Sequence, residues 1–287
     1  MPATINTNLN SLNAQRALSM SQQSLSTSMA RLSSGLRVNS AKDDAAGLAI
    51  AERMSAQVRG MNVAIRNAND GISYAQVAEG ALSKVSDSLQ RMRELSLQSR
   101  NVTNTAKDQA SLQNEFQQLQ LEVARVLDGT TFNGSTVFTN TANLEFQVGA
   151  GTLSTDRVLI TVSAALNADT TLTAITQVTA IIGDKTNTTM VAGTAIDQVV
   201  SDIDTALDTI NQQRSIWGST QNRFDAVVSS LQVSVENQSA ARSRIMDADF
   251  AAETAAMSRA NILQQAGNAM VAQANQLPQQ VLALLRQ

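Results

Sequence analysis

From Val200 to Val235 apolar residues recur three, four and seven apart: Val200, Ile203, Leu207, Ile210, Trp217, Phe224, Val228, Leu231 and Val235, with only Arg214 and Gln221 as polar residues in the seam. On a helix these positions share one face, the sequence form of a long helix laid against another long helix. A second stretch of this kind runs from about Met54 to Ser99, where Met61, Ala68, Ala75, Leu82 and Leu89 are seven apart and Val58, Ile65 and Ile72 lie beside them. At about 1.5 Å per residue that helix is roughly 70 Å long. Its phase shifts near Ala78, after which Val85 and Met92 continue the companion row; a drifting row argues against strict supercoiling. Asn101 to Thr105 breaks the pattern, and Leu112, Phe116, Leu119, Val123 and Val126 predict a shorter helix that stops before Asp128 and Gly129.

The middle of the chain changes period. Leu144, Phe146 and Val148 alternate with polar residues, residues 149–151 can turn, and Val158, Ile160 and Val162 alternate again, which predicts a β-hairpin. Residues 165–194 are rich in Thr and Ala without a period and read as a small exposed excursion with short strands. Long helix, short helix, hairpin, excursion and long returning helix describe a mainly α fold, a long antiparallel bundle or coiled coil formed by the N- and C-terminal halves.

Both extremes of the chain carry a further seam with no strongly charged back. Leu263, Ala266, Met270, Ala274, Leu277, Val281 and Leu284 fall three and four apart, and beyond Glu253 the only charged residues are Arg259 and Arg286. At the other end no acid precedes Asp43, while Leu18, Leu25 and Leu32 repeat at seven with Met29 and Leu36 between them, and Ile5 with Leu12 form an earlier set one residue out of step. An apolar seam backed by Gln, Asn and Ser suits burial among further copies of the same chain. The expectation is a self-assembling filament subunit. Between the N-terminal seam and the next helix, Ser33, Ser34 and Gly35 predict a helix stop, with Asn39 and Ser40 as caps of a new helix whose first turn holds Asp43 and Asp44.

Composition narrows the function classes. The 287 residues contain no Cys and no His, which removes disulfides, thiolate nucleophiles, His bases and the usual zinc ligands. Gly-rich phosphate loops are also missing from the sequence, so neither an enzyme nor a cofactor is expected. A net charge of -3 gives no basic patch for nucleic acid. No run approaches the ~20 apolar residues of a membrane span, and the start of the chain has no secretory signal pattern.

Several segments carry a resemblance. Residues 31–50 (RLSSGLRVNSAKDDAAGLAI), Thr131-Phe-Asn-Gly134, Asp247-Ala-Asp-Phe-Ala-Ala-Glu253 and Ala274-Asn-Gln-Leu-Pro-Gln279 together closely resemble bacterial flagellin, in a short form with a minimal central region. The resemblance implies an extracellular homopolymeric helical filament for swimming motility. It places residues 1–42 and 247–287 in an inner terminal-helix layer with its spoke, 43–164 and 200–246 in a bundle with its hairpin, and 165–199 in a short variable surface segment. Polymerisation would use Leu18, Leu25, Leu32, Leu263, Met270, Leu277, Val281 and Leu284. It also implies unfolded export through the flagellar type III apparatus, with an export chaperone and the cap and junction proteins as partners. Leu89-Gln-Arg-Met-Arg-Glu-Leu95 is similar to the segment through which flagellins are detected by the innate receptor TLR5, with Leu89, Gln90, Arg91, Glu94, Leu95, Gln98 and Glu115 as its residues. A hook-filament junction protein, which has related ends, is the alternative.

Overall fold

The computed structural model describes residues 7–139, 143–160, 166–176, 180–184 and 189–284, with side chains as far as residue 276. Within them the order is α1 (Leu9–Ser34), α2 (Ala45–Ser99), α3 (Ala106–Gly129), β1 (Thr131–Phe132), β2 (Ser135–Thr136), β3 (Leu144–Gln147), β4 (Arg157–Ile160), α4 (Thr170–Thr176), α5 (Gly193–Met246) and α6 (Phe250–Leu284). The mainly helical fold with a central hairpin is the one the heptad rows predict. The chain divides into two compact units, Met1–Val58 with Glu236–Gln287, and Arg59–Val235.

In the second unit α2 and α5 run antiparallel. Tyr74 meets Trp217 with ring centroids 5.6 Å apart, Gln221 donates to Glu79 at 3.0 Å, and Arg93 and Arg100 reach Asp204 and Asp197 at 2.6 and 2.7 Å. From Glu79 through Arg93 to Arg100 the partners on α5 step back from Gln221 through Asp204 to Asp197, which fixes the direction. The core between them holds Leu82, Leu89, Met92, Leu95, Ile203, Ile210 and Phe224, all fully buried. Phe224, at a seam position of the Val200–Val235 row, stacks edge-on to Phe146 of β3 at 5.4 Å.

Helix α3 begins at a reciprocal cap, in which Thr105 accepts from the Asp108 backbone and Asp108 accepts from that of Thr105. Such a box satisfies two orphan donors at once. The hydrogen bond from Thr105 holds the Asp108 carboxyl below its ordinary range. The predicted hairpin is β3 with β4, antiparallel with Leu144 opposite Ile160 and Gln147 opposite Arg157; Val162 lies outside the described residues. A further hairpin, β1 with β2, turns at Asn133 (φ 49°) and Gly134 (φ 80°). Two successive left-handed residues make the turn whose twist matches the flanking strands, and Asn-Gly is the pair that adopts it most readily.

The central excursion differs from the plain exposed surface expected of it. Leu166, Leu172, Ile175, Ala180 and Ile182 are buried, and its described part contains the short helix α4 but no strand. Its irregular backbone is held by a row of glutamines on α3. Gln113 Oε1 accepts from the Ile182 and Gly183 backbones at 2.7 and 3.2 Å, Gln109 Oε1 accepts from Val191 at 3.0 Å, and Gln120 Nε2 donates to the Ile175 and Ala180 carbonyls at 2.7 and 3.3 Å. Buried backbone groups need partners, and these side chains supply what a sheet ladder would. Gly183 lies so close that a Cβ there would stand 2.1 Å from the Gln109 carbonyl oxygen. Only glycine fits.

In the first unit α1 is capped by Asn8, whose side chain accepts from Ser11 N, and ends at Gly35 in the left-handed conformation, φ 70°. The predicted stop is therefore the observed one. The cap of α2 is not: Asp44 accepts from Gly47 N at 2.7 Å, whereas Asn39 and Ser40 both donate their backbone N–H groups to Asp43. The Asn39 backbone N–H, followed by the Ser40 hydroxyl, lowers the Asp43 carboxyl below its ordinary range. Asp43 thus closes a turn ahead of the helix instead of lying in its first turn, because an Asx side chain reaches backbone N–H groups a few residues away more readily than helical ones beyond it.

Candidate assembly surface

Helices α1 and α6 pair antiparallel. Asn8 donates to the Ala274 carbonyl at 2.7 Å, the Ser11 hydroxyl donates to Asn275 Oδ1 at 2.7 Å, Leu18 lies against Gly267, and Arg31 reaches Glu253 at 3.4 Å. On the C-terminal side of this pair only Ala274 of the predicted seam is buried among the described side chains. Ala260 and Ala274 are buried and Gln264, Gly267 and Val271 half-buried, while Leu263 and Ala266 are exposed and Met270 is 61% exposed. On α1 the inward positions are Ser11, Ala14, Leu18, Ser21, Leu25, Ser28 and Leu32, so the predicted leucines are only half-buried and share the seam with serines.

The cause is side-chain size. A Cβ on Gly267 would stand 3.1 Å from Leu18 Cδ1, and helices approach as closely as the residues between them allow. Small residues face the partner helix, so the bulky stripe of α6 is turned outward. Ile262 is 66% and Leu263 51% exposed, and on α1 Leu9, Met20 and Met29 are more than half exposed. A groove lined by Ala14, Ala17, Leu18, Leu263, Ala266 and Met270 runs beside the pair. Burying one Leu or Met side chain stabilises by roughly 1.5–3 kcal/mol, and the pair leaves this gain unrealised. The side chains of Leu277, Val281 and Leu284, and all of Ile5, lie outside the described residues. The α6 helix is continuous through Pro278 to Leu284.

After Gly35 the chain crosses to the segment before α6. Leu36 bridges Asp247, Met246 O accepts from Arg37 N at 2.6 Å, and Ala248 N donates to Gly35 O at 2.9 Å. Val38, Ala51 and Met246 close a small core under it. The joint predicted around residues 35–44 is thus a clamped crossing, with its own apolar anchor.

A second, separate surface lies on the bundle unit. Arg91 bridges two carboxylates, Glu94 at 2.8 Å and Glu115 of α3 at 2.8 Å, and the hydrogen bond it donates to Glu94, with that to Glu115, raises the guanidinium above its ordinary value. Gln90, Arg91, Glu94, Gln98 and Glu115 face outward. Leu89 and Leu95 do not, being fully buried; a partner cannot touch them, and they support the face from beneath. The residues that spacing alone missed are Gln109, Gln113 and Gln120, although their three-to-four-residue intervals with Phe116 and Val123 place them on one α3 stripe. Among the described residues no group of three or more His, Cys, Asp or Glu could hold a metal ion, and no helix is long and apolar enough to cross a membrane.

Residues 5–143 match the family model of the bacterial flagellin N-terminal helical region, and residues 200–285 match that of the C-terminal helical region. The chain belongs to the bacterial flagellin family. Among its relatives, a flagellin of Halalkalibacterium halodurans is 46% identical over 98% of this chain and 99% of its own. A flagellin of Bacillus subtilis and the flagellar filament 33 kDa core protein of Treponema phagedenis are each 39% identical, again over 98% of this chain and 99% of theirs. A crystal structure of Bacillus cereus flagellin aligns at 28% identity with a TM-score of 0.47, over 58% of this chain and 88% of that one. As a flagellin, the chain is a structural subunit of the bacterial flagellar filament, outside the cell, and not an enzyme.

Proposed function

We propose that the α1–α6 pair is the polymerising element of this flagellin, and that the apolar stripe it leaves outward is covered by neighbouring copies. The observation that carries this is the exposure of Leu263 and Met270 beside a helix contact whose fully buried positions are Ser11, Ser28, Ala260 and Ala274. Residues 1–42 and 247–287 then form the inner layer, the clamped crossing after Gly35 its spoke, and the bundle with its hairpin the next layer outward. Leu18, Leu25 and Leu32, half-buried in the isolated chain, become fully enclosed when copies add; Leu277, Val281 and Leu284 continue in sequence the row of Leu263 and Met270. A pair with so little internal apolar contact orders fully only on assembly. Unfolded passage through the flagellar type III apparatus, with an export chaperone and the cap and junction proteins as partners, fits the same weakness. Deleting Asn268 to Gln287 is expected to leave a folded, monomeric bundle unit; fibres of normal length from that variant sink the reading. Immunolabelling along the whole fibre, against labelling confined to its base, separates filament subunit from hook-filament junction protein.

A second reading rests on the Arg91–Glu94–Glu115 cluster. Its guanidinium and carboxylates are about half exposed on the outward face of α2 and α3, a fixed pattern of charge that a receptor can match. Recognition by TLR5 would use Gln90, Arg91, Glu94, Gln98 and Glu115 directly, with Leu89 and Leu95 holding the helix in place. Arg91→Ala in a receptor-reporter assay is expected to weaken the response, and an unchanged response removes the assignment.

A further inference from the structure

The chain contains ten methionines and no cysteine, so the thioether is its only sulfur, and among the described residues these side chains range from buried through half-buried (Met54, Met257) to exposed. Met61, Met92 and Met246 are buried in the cores of their units. Met20, Met29, Met190 and Met270 are each more than half exposed, and three of these four lie on α1 and α6. Met270 also lines the apolar groove beside Leu18, Leu263 and Ala266. A large apolar side chain left in water is the part of this surface with most to gain from a neighbour, and a thioether is the only one that a mild oxidant converts to a polar group.

We propose that Met270, with Met20 and Met29, is an oxidation site that controls whether the free subunit can join a filament. This rests on the polymerising role given above to the α1–α6 pair. The thioether sulfur attacks one oxygen of a peroxide and breaks the O–O bond. Sulfur loses two electrons and becomes a sulfoxide, and hydrogen peroxide is reduced to water. The sulfoxide oxygen is a strong acceptor, and it replaces the thioether that packs beside Ala14, Leu18, Leu263 and Ala266 in a groove whose rim also carries Asn13 and Gln273. When a second copy covers the groove, the oxidised side chain gives up water on its oxygen and no longer supplies the apolar contact of the thioether, and both are costly. In the filament the same burial shields the sulfur, so the control acts before assembly and not after it.

The test uses the full chain, with filament fragments as seeds. Subunits are treated with hydrogen peroxide, oxidation is mapped by peptide mass spectrometry, and seeded elongation is followed by light scattering and electron microscopy. Met20, Met29, Met190 and Met270 are expected to oxidise ahead of Met61, Met92 and Met246. The treated subunits should elongate at a critical concentration raised by about tenfold or more, the usual cost of burying one unpartnered polar group. Methionine sulfoxide reductase should restore elongation. The variant Met20→Leu, Met29→Leu, Met270→Leu keeps side-chain volume and keeps Met190, so it should elongate after peroxide as it does before. Treated parent chain that elongates normally, or a triple variant as sensitive as the parent, overturns the proposal. Its failure is distinct from failure of the polymerisation reading, which is marked by untreated chain that does not elongate or by elongation of the chain lacking residues 268–287.

Discussion

The two units use the same helical repeat and reach opposite results. Between α2 and α5 large side chains are buried among small ones, with Leu82, Leu89, Ile210 and Phe224 wholly out of water beside Ala68, Ala75, Ala78 and Ala206. Between α1 and α6 the fully buried positions are Ser and Ala, with half-buried Leu, Gly and Val beside them, and Ile262, Leu263 and Met270 of α6 are each more than half exposed. A seven-residue spacing predicts a helix and a seam in both. Which face the seam takes is decided by which side chains let the helices approach, and in the terminal pair the small ones win. One unit is complete within a single chain, while the other presents its apolar surface to whatever comes next.

The largest expected difference between the units is in core truncation. Phe116→Ala should destabilise the bundle unit by about 3–5 kcal/mol, seen as an earlier chemical unfolding midpoint, whereas Leu25→Ala on the half-buried α1 seam should cost much less in the monomer. Equal losses would erase the contrast. Next comes the glutamine row: Gln113→Leu strips the Ile182 and Gly183 N–H groups of their acceptor, and an unpaired buried donor costs about 1–3 kcal/mol. Amide exchange at those two positions should quicken by a matching factor, and unchanged protection would mean that the excursion is held by its apolar residues alone. Leu263→Ser sharpens the comparison from the other side. An exposed substitution of this type shifts monomer stability by no more than about 0.5 kcal/mol, yet it should raise the critical concentration for elongation; a variant that assembles like the parent would show that this stripe is not covered.

The smallest effect concerns pH. Asp43 and Asp108 accept hydrogen bonds that lower their folded pKa values, so the stability they lend is present above their unfolded values, near 3.9, and is lost as pH falls through the lower folded values. Both are surface groups. Asp43→Asn and Asp108→Asn should each flatten the acid limb of the stability curve slightly below about pH 4, by titration monitored through helix content.

Much of this was legible in the residues. The rows Met61 to Leu89 and Val200 to Val235 specify α2 and α5, the alternation around Phe146 and Val158 specifies the hairpin, and Gly35 marks the end of α1. What could not be read was orientation among competing faces. Leu263, Ala266 and Met270 form a better seam on paper than Ala260, Gln264 and Gly267, because hydrophobicity rewards bulk whereas close helix approach rewards its absence. The central segment was opaque for a different reason: its path is set by long-range hydrogen bonds from α3, and no local period encodes them. The outward charge cluster was only half legible, since Arg91, Glu94 and Glu115 project as expected while Leu89 and Leu95 belong to the core.

The glutamine grip has a consequence for how such a subunit can change over time. Gln109, Gln113 and Gln120 hold main-chain atoms of Ile175, Ala180, Ile182, Gly183 and Val191. Apart from Gly183, whose place admits nothing larger, the identity of the gripped residues is irrelevant to those bonds. The route of the segment can therefore stay constant while the surface it shows to the outside is rewritten.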